Sequence, residues 1–445
     1  MNKDFSTGSI KKHIFSLAIP MIAAMMINAL YSIVDRIYIG HIAGDGQLAL
    51  TGIGLCFPIT MLVSAFAYLI GNGGGPLVSI ALGEENKEKA EKILGNSITT
   101  LVILGIAVMV VCLAIKKPIL YLFGASDSTY PYANQYITIY ILGTLAVMLT
   151  LGMNPFINAQ GYAKTGMMTV CIGAIVNIVL DPIFIFGFHL GIRGAAIATI
   201  LAQMVSALWV IRFLMGKKAA IRLKKENLKL DGAIVKSICA LGFASFIMNL
   251  TESALSAVFN ASLRDFGGDL YVTVMTVITS VSQVIFMPLA GFAQGATPVI
   301  GYNYGAKQFD RVKQGFRFML LVTGIYAVTS WLFTMLCPQL LVRVFNSDQN
   351  LIAAAVPMFR IYFSMNFIMC LQMCSQNTFV AVGDAKKATF FAIYRKLILL
   401  IPLILILPRI GMGLVGVFAA EPIADTISAL TCFLTFMLTK YRRWK

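Results

Sequence analysis

Long apolar stretches alternate with short polar ones from one end of this chain to the other. Twelve of the stretches reach the roughly 20 residues needed to cross a ~30 Å hydrocarbon core. They fall near residues 13–37, 48–70, 93–115, 132–157, 165–188, 194–215, 233–263, 270–300, 316–336, 351–380, 388–407 and 414–438. An all-α membrane protein with twelve transmembrane helices is therefore expected. The stretches at 233–263, 270–300 and 351–380 are longer than a crossing needs, which predicts tilt, kinks or protruding ends. Prolines such as Pro20, Pro155, Pro182, Pro298 and Pro422 lie inside the stretches, where each frees a backbone carbonyl and permits a bend.

The pattern is written twice. Gly73-Gly74-Gly75-Pro76-Leu77-Val78 returns as Gly295-Ala296-Thr297-Pro298-Val299-Ile300, an offset of 222 residues. The same offset carries Ile139-Tyr140 to Ile361-Tyr362, Gly161-x-Ala163-Lys164 to Gly383-x-Ala385-Lys386, and Gly191-x-x-Gly194 to Gly413-x-x-Gly416. Two homologous six-helix bundles follow: an N-lobe over 1–215, a basic linker over 216–232 and a C-lobe over 233–445. A duplicated membrane chain points to a transporter whose path lies between its repeats, and six helices per repeat give both halves the same orientation.

Composition fits that reading. The chain is 58% apolar and only 12% charged, with a mean hydropathy of +0.83. Its net charge of +16 is not a nucleic-acid footprint, because the positives are sorted by side. With both termini on one side, 23 Lys and Arg residues fall in the loops and tails of that side and 7 on the other. That bias predicts cytoplasmic termini and a cytoplasmic 216–232 linker. The loops near Gly44, Phe123, Gly191, Gly267, Ser347 and Gly411 should face out. The linker reads as a solvated connection or as a surface for anionic lipid headgroups. The eight cysteines form no Cys-x-x-Cys pair and read as small apolar core residues. Gly71-Asn72-Gly73-Gly74-Gly75 lacks the Gly-Lys-Ser/Thr ending of a phosphate loop, so it reads as close helix packing or a flexible break.

Ionisable residues inside a bilayer are costly and need a reason. Asp35, Asp181, Glu252, Glu421 and Asp425 qualify as acids, and Arg360, Arg395 and Lys396 as bases. Asn177 and Asp181 are four apart on one helix face, and Pro182 leaves a carbonyl without its donor. These are hard oxygen ligands for Na⁺ or acceptors for a proton; the alternative is an aspartate that satisfies the broken backbone or an arginine. Asp35 follows Tyr31 by one turn, with an interfacial Asp35–Arg36 pair as its alternative. If Asp35 and Asp181 approach each other, the pair could exchange a proton with water. Glu252, Glu421 and Asp425 could bind a cationic substrate or pair with Arg360 or Arg395. The 23 Met and 30 Phe could line a plastic cavity.

Together, Pro20, Asn-x-x-x-Asp-Pro at 177–182 and Gly-x-x-Gly-Ala-Ala at 191–196 make the whole chain resemble the multidrug and toxic compound extrusion family, in its DinF-like or MepA-like branch. The resemblance implies a V-shaped exporter of the bacterial cytoplasmic membrane, not an enzyme, that moves small amphipathic organic cations against H⁺ or Na⁺. It implies a coupling-cation cluster at Tyr31, Asp35, Asn154, Asn177, Asp181 and Thr199, with the Ala195 backbone, and a helix hinge at Pro20. Glu252, Glu421, Asp425 and Gln376 are candidate substrate contacts. A monomer without cofactor is expected, with membrane lipids and small molecules as its partners and no nucleic acid. Another branch uses acids on helices 7 and 10; here Glu252 could match the first, but helix 10 offers Gln372, Gln376 and Asn377. The absence of a basic cavity lining is expected to favour cations over anions. The runner-up is a lipid-linked oligosaccharide flippase, which needs basic cavity residues. The offset maps Asp35 to Ala257, Asn177 to Leu399, Asp181 to Leu403 and Thr199 to Glu421, so ion coupling should belong to one lobe.

Overall fold

The computed structural model describes residues 4–42, 46–345 and 348–444, without the side chains of Ser253 and Asp269. The loop positions near Gly44 and Ser347 lie outside the described residues. Every regular element described is helical, as hydrocarbon demands of a chain that must satisfy its own backbone.

The N-terminal half holds α1 (Ile10–Gly40), α2 (Gly46–Gly83), α3 (Lys87–Leu122), α4 (Tyr130–Leu142 with Thr144–Ala159), α5 (Ala163–Pro182) and α6 (Gly191–Met215). The C-terminal half holds α7 (Gly232–Gly267), α8 (Asp269–Gly305), α9 (Phe309–Leu336), α10 (Gln349–Phe363 with Met369–Ala381), α11 (Ala385–Ile393 through Ile401–Ile406) and α12 (Gly413–Phe436). All twelve expected crossings are present, but two are broken. α4 bends by 58° at Gly143, and α10 is interrupted by a 3₁₀ turn at Asn366–Ile368. α11 runs into α12 through Gly411, whose φ of +105° only a glycine adopts without strain. Wider π-type turns at Ile183–Gly187, Tyr394–Leu400 and Pro408–Met412 adjoin Pro182, Pro402 and Pro408. Each proline removes a backbone donor, and the wider turn absorbs the mismatch. α1 passes through Pro20 without a break.

Both chain ends meet at the α8–α9 turn. Phe5 packs edge-on against Tyr302, and Trp444 stacks on Phe309. Arg311 donates to the carbonyls of Phe5 (2.8 Å) and Gly8 (3.0 Å), so the N-terminal tail is tied to the C-terminal half. The linker is strapped down as well as solvated. Ile221 N–H donates to Gln160 Oε1 at 3.1 Å, Lys224 pairs with buried Glu91 at 2.6 Å, and Asp231 N–H donates to Asn96 Oδ1 at 2.6 Å. Its remaining cations, among them Lys217, Lys218, Lys225 and Lys229, are exposed.

The lobes touch at the end that carries the termini. α2 lies along α7, and the inner part of α1 lies along α8, with Gly295 against Ala18 and Gly291 against Ile22. Backbones meet directly: a Cβ built on Gly242 would lie 1.7 Å from the Leu69 carbonyl oxygen, and one on Gly83 would lie 1.9 Å from that of Tyr302. Small residues permit this approach, as they do between membrane helices generally. The Gly71–Gly75 run lies within α2, and Gly73 packs on Ile238, which is the close-packing reading. Gly242→Leu is therefore expected to hold these ends apart. Spin labels at residues 84 and 307 should report a longer distance in the variant; an unchanged distance distribution would contradict the packing account.

Candidate functional site

Three helices of the N-terminal half build a buried oxygen cluster. Pro182 ends the regular turns of α5, and this places Asp181 at the last turn, fully buried, with Asn177 one turn before it. Asn177 Nδ2 donates to Asp181 Oδ1 at 3.1 Å and reaches Thr199 Oγ1 of α6 at 3.4 Å. Asp35 of α1 closes the cluster, its carboxyl within hydrogen-bonding reach of that of Asp181. Asp35 thus faces a second carboxyl as well as the charge of its neighbour Arg36. Two carboxyl groups this close cannot both stay charged in a buried site without a proton or a cation between them. Asp35 Oδ1, Asn177 Oδ1 and Asp181 Oδ2 are buried and have no hydrogen-bond partner in the protein. Buried acceptor oxygens on neighbouring residues of two helices suit a proton or a small hard cation.

Tyr31 stands one turn before Asp35 and close to both carboxyls. Ala195 is fully buried one turn before Thr199. Asn154 is the exception among the expected members. Its Nδ2 donates to the Gly166 carbonyl at 3.3 Å. Gly166 precedes Asn177 by three turns of α5, roughly 16 Å, so Asn154 joins the cluster only along a longer seam. Sequence reasoning missed the tyrosines around it: Tyr68 of α2 neighbours Tyr31, and Tyr136 and Tyr140 of α4 stack with ring centroids 6.2 Å apart. The four-residue spacing of Tyr136 and Tyr140 in an apolar span was the available signal.

The C-terminal half holds a cavity of 540 Å³ walled by α7, α8, α10, α11 and α12. Met248, Met275, Phe259, Phe286, Met373 and Phe391 give it soft apolar walls, and Glu252, Gln372, Gln376, Arg395, Lys396 and Glu421 its polar groups. The expectation of a cavity without bases is overturned here. Arg395 Nε donates to Asp425 Oδ1 at 2.7 Å, and its Nη2 donates to Glu421 Oε1 at 2.8 Å. Lys396 Nζ donates to the Met248 carbonyl at 3.0 Å and pairs with Glu252. Adjacent residues on a helix point about 100° apart, so Arg395 turns to α12 and Lys396 to α7. The three acids are thus ion-paired, and Arg360 is not their partner; it is exposed beside an outer groove with Ile361, Pro422 and Thr426. Gln376 is placed in the cavity wall and reaches the Met248 sulfur at 3.6 Å. Unpartnered in the cavity wall are two acceptors, Glu421 Oε2 and Gln372 Oε1, and the Ser282 hydroxyl, which can donate or accept; the Glu252 side chain is 57% exposed.

Twelve spans in two homologous bundles, with a buried oxygen cluster in one and a roomy cavity in the other, define a duplicated membrane transporter. The chain belongs to the MatE family, whose model matches residues 20–183 and again residues 244–406, once in each half. It is similar to the multidrug export protein MepA of Staphylococcus haemolyticus, with 25% identity over 98% of this chain and 95% of that protein. Solved structures share the fold. One of a MATE protein in the bent conformation superposes with a TM-score of 0.92 at 24% identity, over 98% of this chain and 96% of the other. One in the straight conformation gives 0.91 at 24% identity, over 99% and 98%. The fold is the V-shaped MATE architecture of twelve transmembrane helices, and the protein is a transporter, not an enzyme.

Proposed function

We propose that this protein is a secondary active multidrug exporter of the bacterial cytoplasmic membrane that exchanges H⁺ or Na⁺ at the Asp35–Asn177–Asp181–Thr199 cluster for amphipathic organic cations. The observation that supports this reading is the presence of three unpartnered buried oxygens on Asp35, Asn177 and Asp181, whose two carboxyls lie within hydrogen-bonding reach. The repeat supplies no second copy of that cluster, so one lobe couples and the other binds substrate. Both termini and the strapped linker face the cytoplasm, following the basic asymmetry. With the terminus-bearing ends sealed, the cavity opens to the outside. Loading the cluster then draws α1 towards α5 and bends it at Pro20, and the lobes rock to the inward-facing state. The working unit is a single chain.

In the substrate cavity, free valence matters more than charge count. Arg395 and Lys396 are each held by acids, Asp425 and Glu421 for the first and Glu252 for the second, and two carboxyl or amide oxygens and the Ser282 hydroxyl are left over. Such a cavity favours a ligand that brings donors or positive charge. A polyprenyl pyrophosphate sugar would meet bases whose charge is already matched by acids, which argues against a flippase. Glu252→Gln is expected to weaken binding of a hydrophobic monocationic dye about tenfold or more, equivalent to ~1.4 kcal/mol, with ion coupling retained. Equilibrium dye binding and vesicle efflux check this. Competition by polyprenyl-pyrophosphate sugars but not by cationic dyes would favour the flippase.

A further inference from the structure

The oxygen cluster is one end of a longer polar seam. On α6, Thr199, Gln203 and Ser206 share one face; on α5, Asp181, Asn177, Gly173, Thr169 and Gly166 do; on α4, Thr150, Asn154 and Asn158 do. The three faces meet. Ser206 Oγ donates to the Thr169 carbonyl at 3.1 Å and packs on Gly173. Thr150 Oγ1 donates to the Gln203 carbonyl at 3.1 Å. Gly166 leaves room for two amide oxygens, since a Cβ there would lie 2.4 Å from Asn158 Oδ1 and 2.8 Å from Asn154 Oδ1. The seam descends from Asp181 to the Gly161–Tyr162 turn, about 24–30 Å along α5. It ends beneath the linker, where Tyr162 OH donates to the Lys218 carbonyl at 2.9 Å and Gln160 accepts from Ile221.

Polar side chains between membrane helices often serve as glue. Glue, however, uses its lone pairs. Here Gln203 Oε1, Asn154 Oδ1 and Asn158 Oδ1 are buried and unpartnered, continuing the row begun by Asn177 Oδ1 and Asp181 Oδ2. Buried oxygens without donors are costly in an apolar setting and are met by water or a cation. All five are acceptors: Asp181 and Asn177 are one turn apart on α5, Asn154 and Asn158 one turn apart on α4, and Gln203 stands on α6, one turn after Thr199.

We infer that this seam between α4, α5 and α6 is the hydrated route by which the coupling cation leaves the Asp35–Asp181 cluster for the terminus-bearing side, with Asn158 and Gln203 as its lining groups and the 217–221 strap beside its mouth. The inference rests on the coupling reading above. It makes release an N-lobe event, separate from the substrate cavity, which explains how the two cargoes avoid each other. It also gives the linker a role besides joining the halves.

Thiols test the route, because a methanethiosulfonate reacts with the thiolate, which forms only where water reaches. Asn158→Cys and Gln203→Cys are made in the full-length protein. Membrane vesicles of both orientations are treated with a trimethylammonium-bearing methanethiosulfonate during ion-driven turnover. Added label is counted by intact mass against the wild-type protein. The expected result is one further label on each variant from the terminus-bearing face and none from the other. Labelling at neither position, or only from the opposite face, overturns the seam. A second measurement covers a poorly folded cysteine variant: Gln203→Leu should slow ion-driven transport at least tenfold while equilibrium dye binding stays unchanged, and wild-type rates in that variant also overturn it. If Asp181→Asn still couples, the cluster reading fails whatever the labelling shows. If Asp181→Asn is uncoupled and both thiols stay unlabelled, the cluster stands and the seam falls.

Discussion

Asp181→Asn should reduce gradient-driven efflux to the level of empty vesicles while leaving the protein folded in the membrane. Asp181 has no exposure, and it accepts from Asn177 on one side and meets Asp35 on the other. An amide keeps the shape and the Asn177 neighbour but cannot give up a proton or neutralise a cation. It also removes a potential charge from a place where charge is costly, so stability should hold or rise. Asp35→Asn should do the same, since one carboxyl alone no longer has a partner with which to share its proton. Thr199→Ala should have a smaller effect, because the hydroxyl sits at the margin, 3.4 Å from Asn177. Efflux of a cationic dye from vesicles under an imposed H⁺ or Na⁺ gradient, at matched protein content, reads all three. Coupled efflux in Asp181→Asn at the wild-type rate would remove the N-lobe from the coupling.

Arg395→Met should be the most destabilising single change in the C-terminal half. Its guanidinium holds Asp425 and Glu421 together, and all three side chains are at most 15% exposed. Removing one partner of a buried ion pair strands the others, at about 3–5 kcal/mol, and lowers the apparent Tm by about 3–5 °C for a chain of this length. The sign should reverse on neutralising the whole group. Arg395→Met combined with Glu421→Gln and Asp425→Asn should recover most of the loss, because neither acid is then left as an unpaired buried charge. Thermal unfolding of purified single and triple variants in one detergent checks this. A triple variant less stable than Arg395→Met alone would mean that the ion pairs stabilise more than they cost.

The two sites differ in how far the sequence reveals them. Hydropathy and the 222-residue repeat locate the twelve crossings, because lipid imposes length and apolarity on each one. The excess length of the 351–380 stretch anticipates a kink in α10 though not its position, while the bend of α4 at Gly143 is not legible, because 132–157 has ordinary crossing length and a single glycine does not by itself mark a break. Asn177, Asp181 and Pro182 stand out by spacing alone, but the meeting of Asp35 with Asp181 depends on how α1 packs on α5. In the C-terminal half, Glu421 and Asp425 are visible as two acids on one face. Arg395 is one of two candidate partners for them in the sequence, but the choice of Arg395 over Arg360, and the pairing of Lys396 with Glu252, depend on how α11 packs between α7 and α12. That is why a cavity expected to be free of bases contains two. The polar seam below the cluster was legible in outline, as i, i+4 polar positions on three helices, but only packing shows that the three faces coincide.

The central claim is that the coupling cation binds in the N-terminal half and nowhere else. The most direct measurement is substrate-dependent cation flux in vesicles carrying the purified protein, with H⁺ movement read by an internal pH dye and Na⁺ movement by ²²Na⁺ uptake. Wild type, an Asp35→Asn/Asp181→Asn double variant and Glu252→Gln are compared. The account predicts inward flux of one of these ions, triggered by substrate, in wild type and in Glu252→Gln. It predicts none in the double variant, even though that variant still binds the dye at equilibrium. Substrate-triggered flux that survives in the double variant, or that disappears only in Glu252→Gln, would place the coupling site in the other lobe.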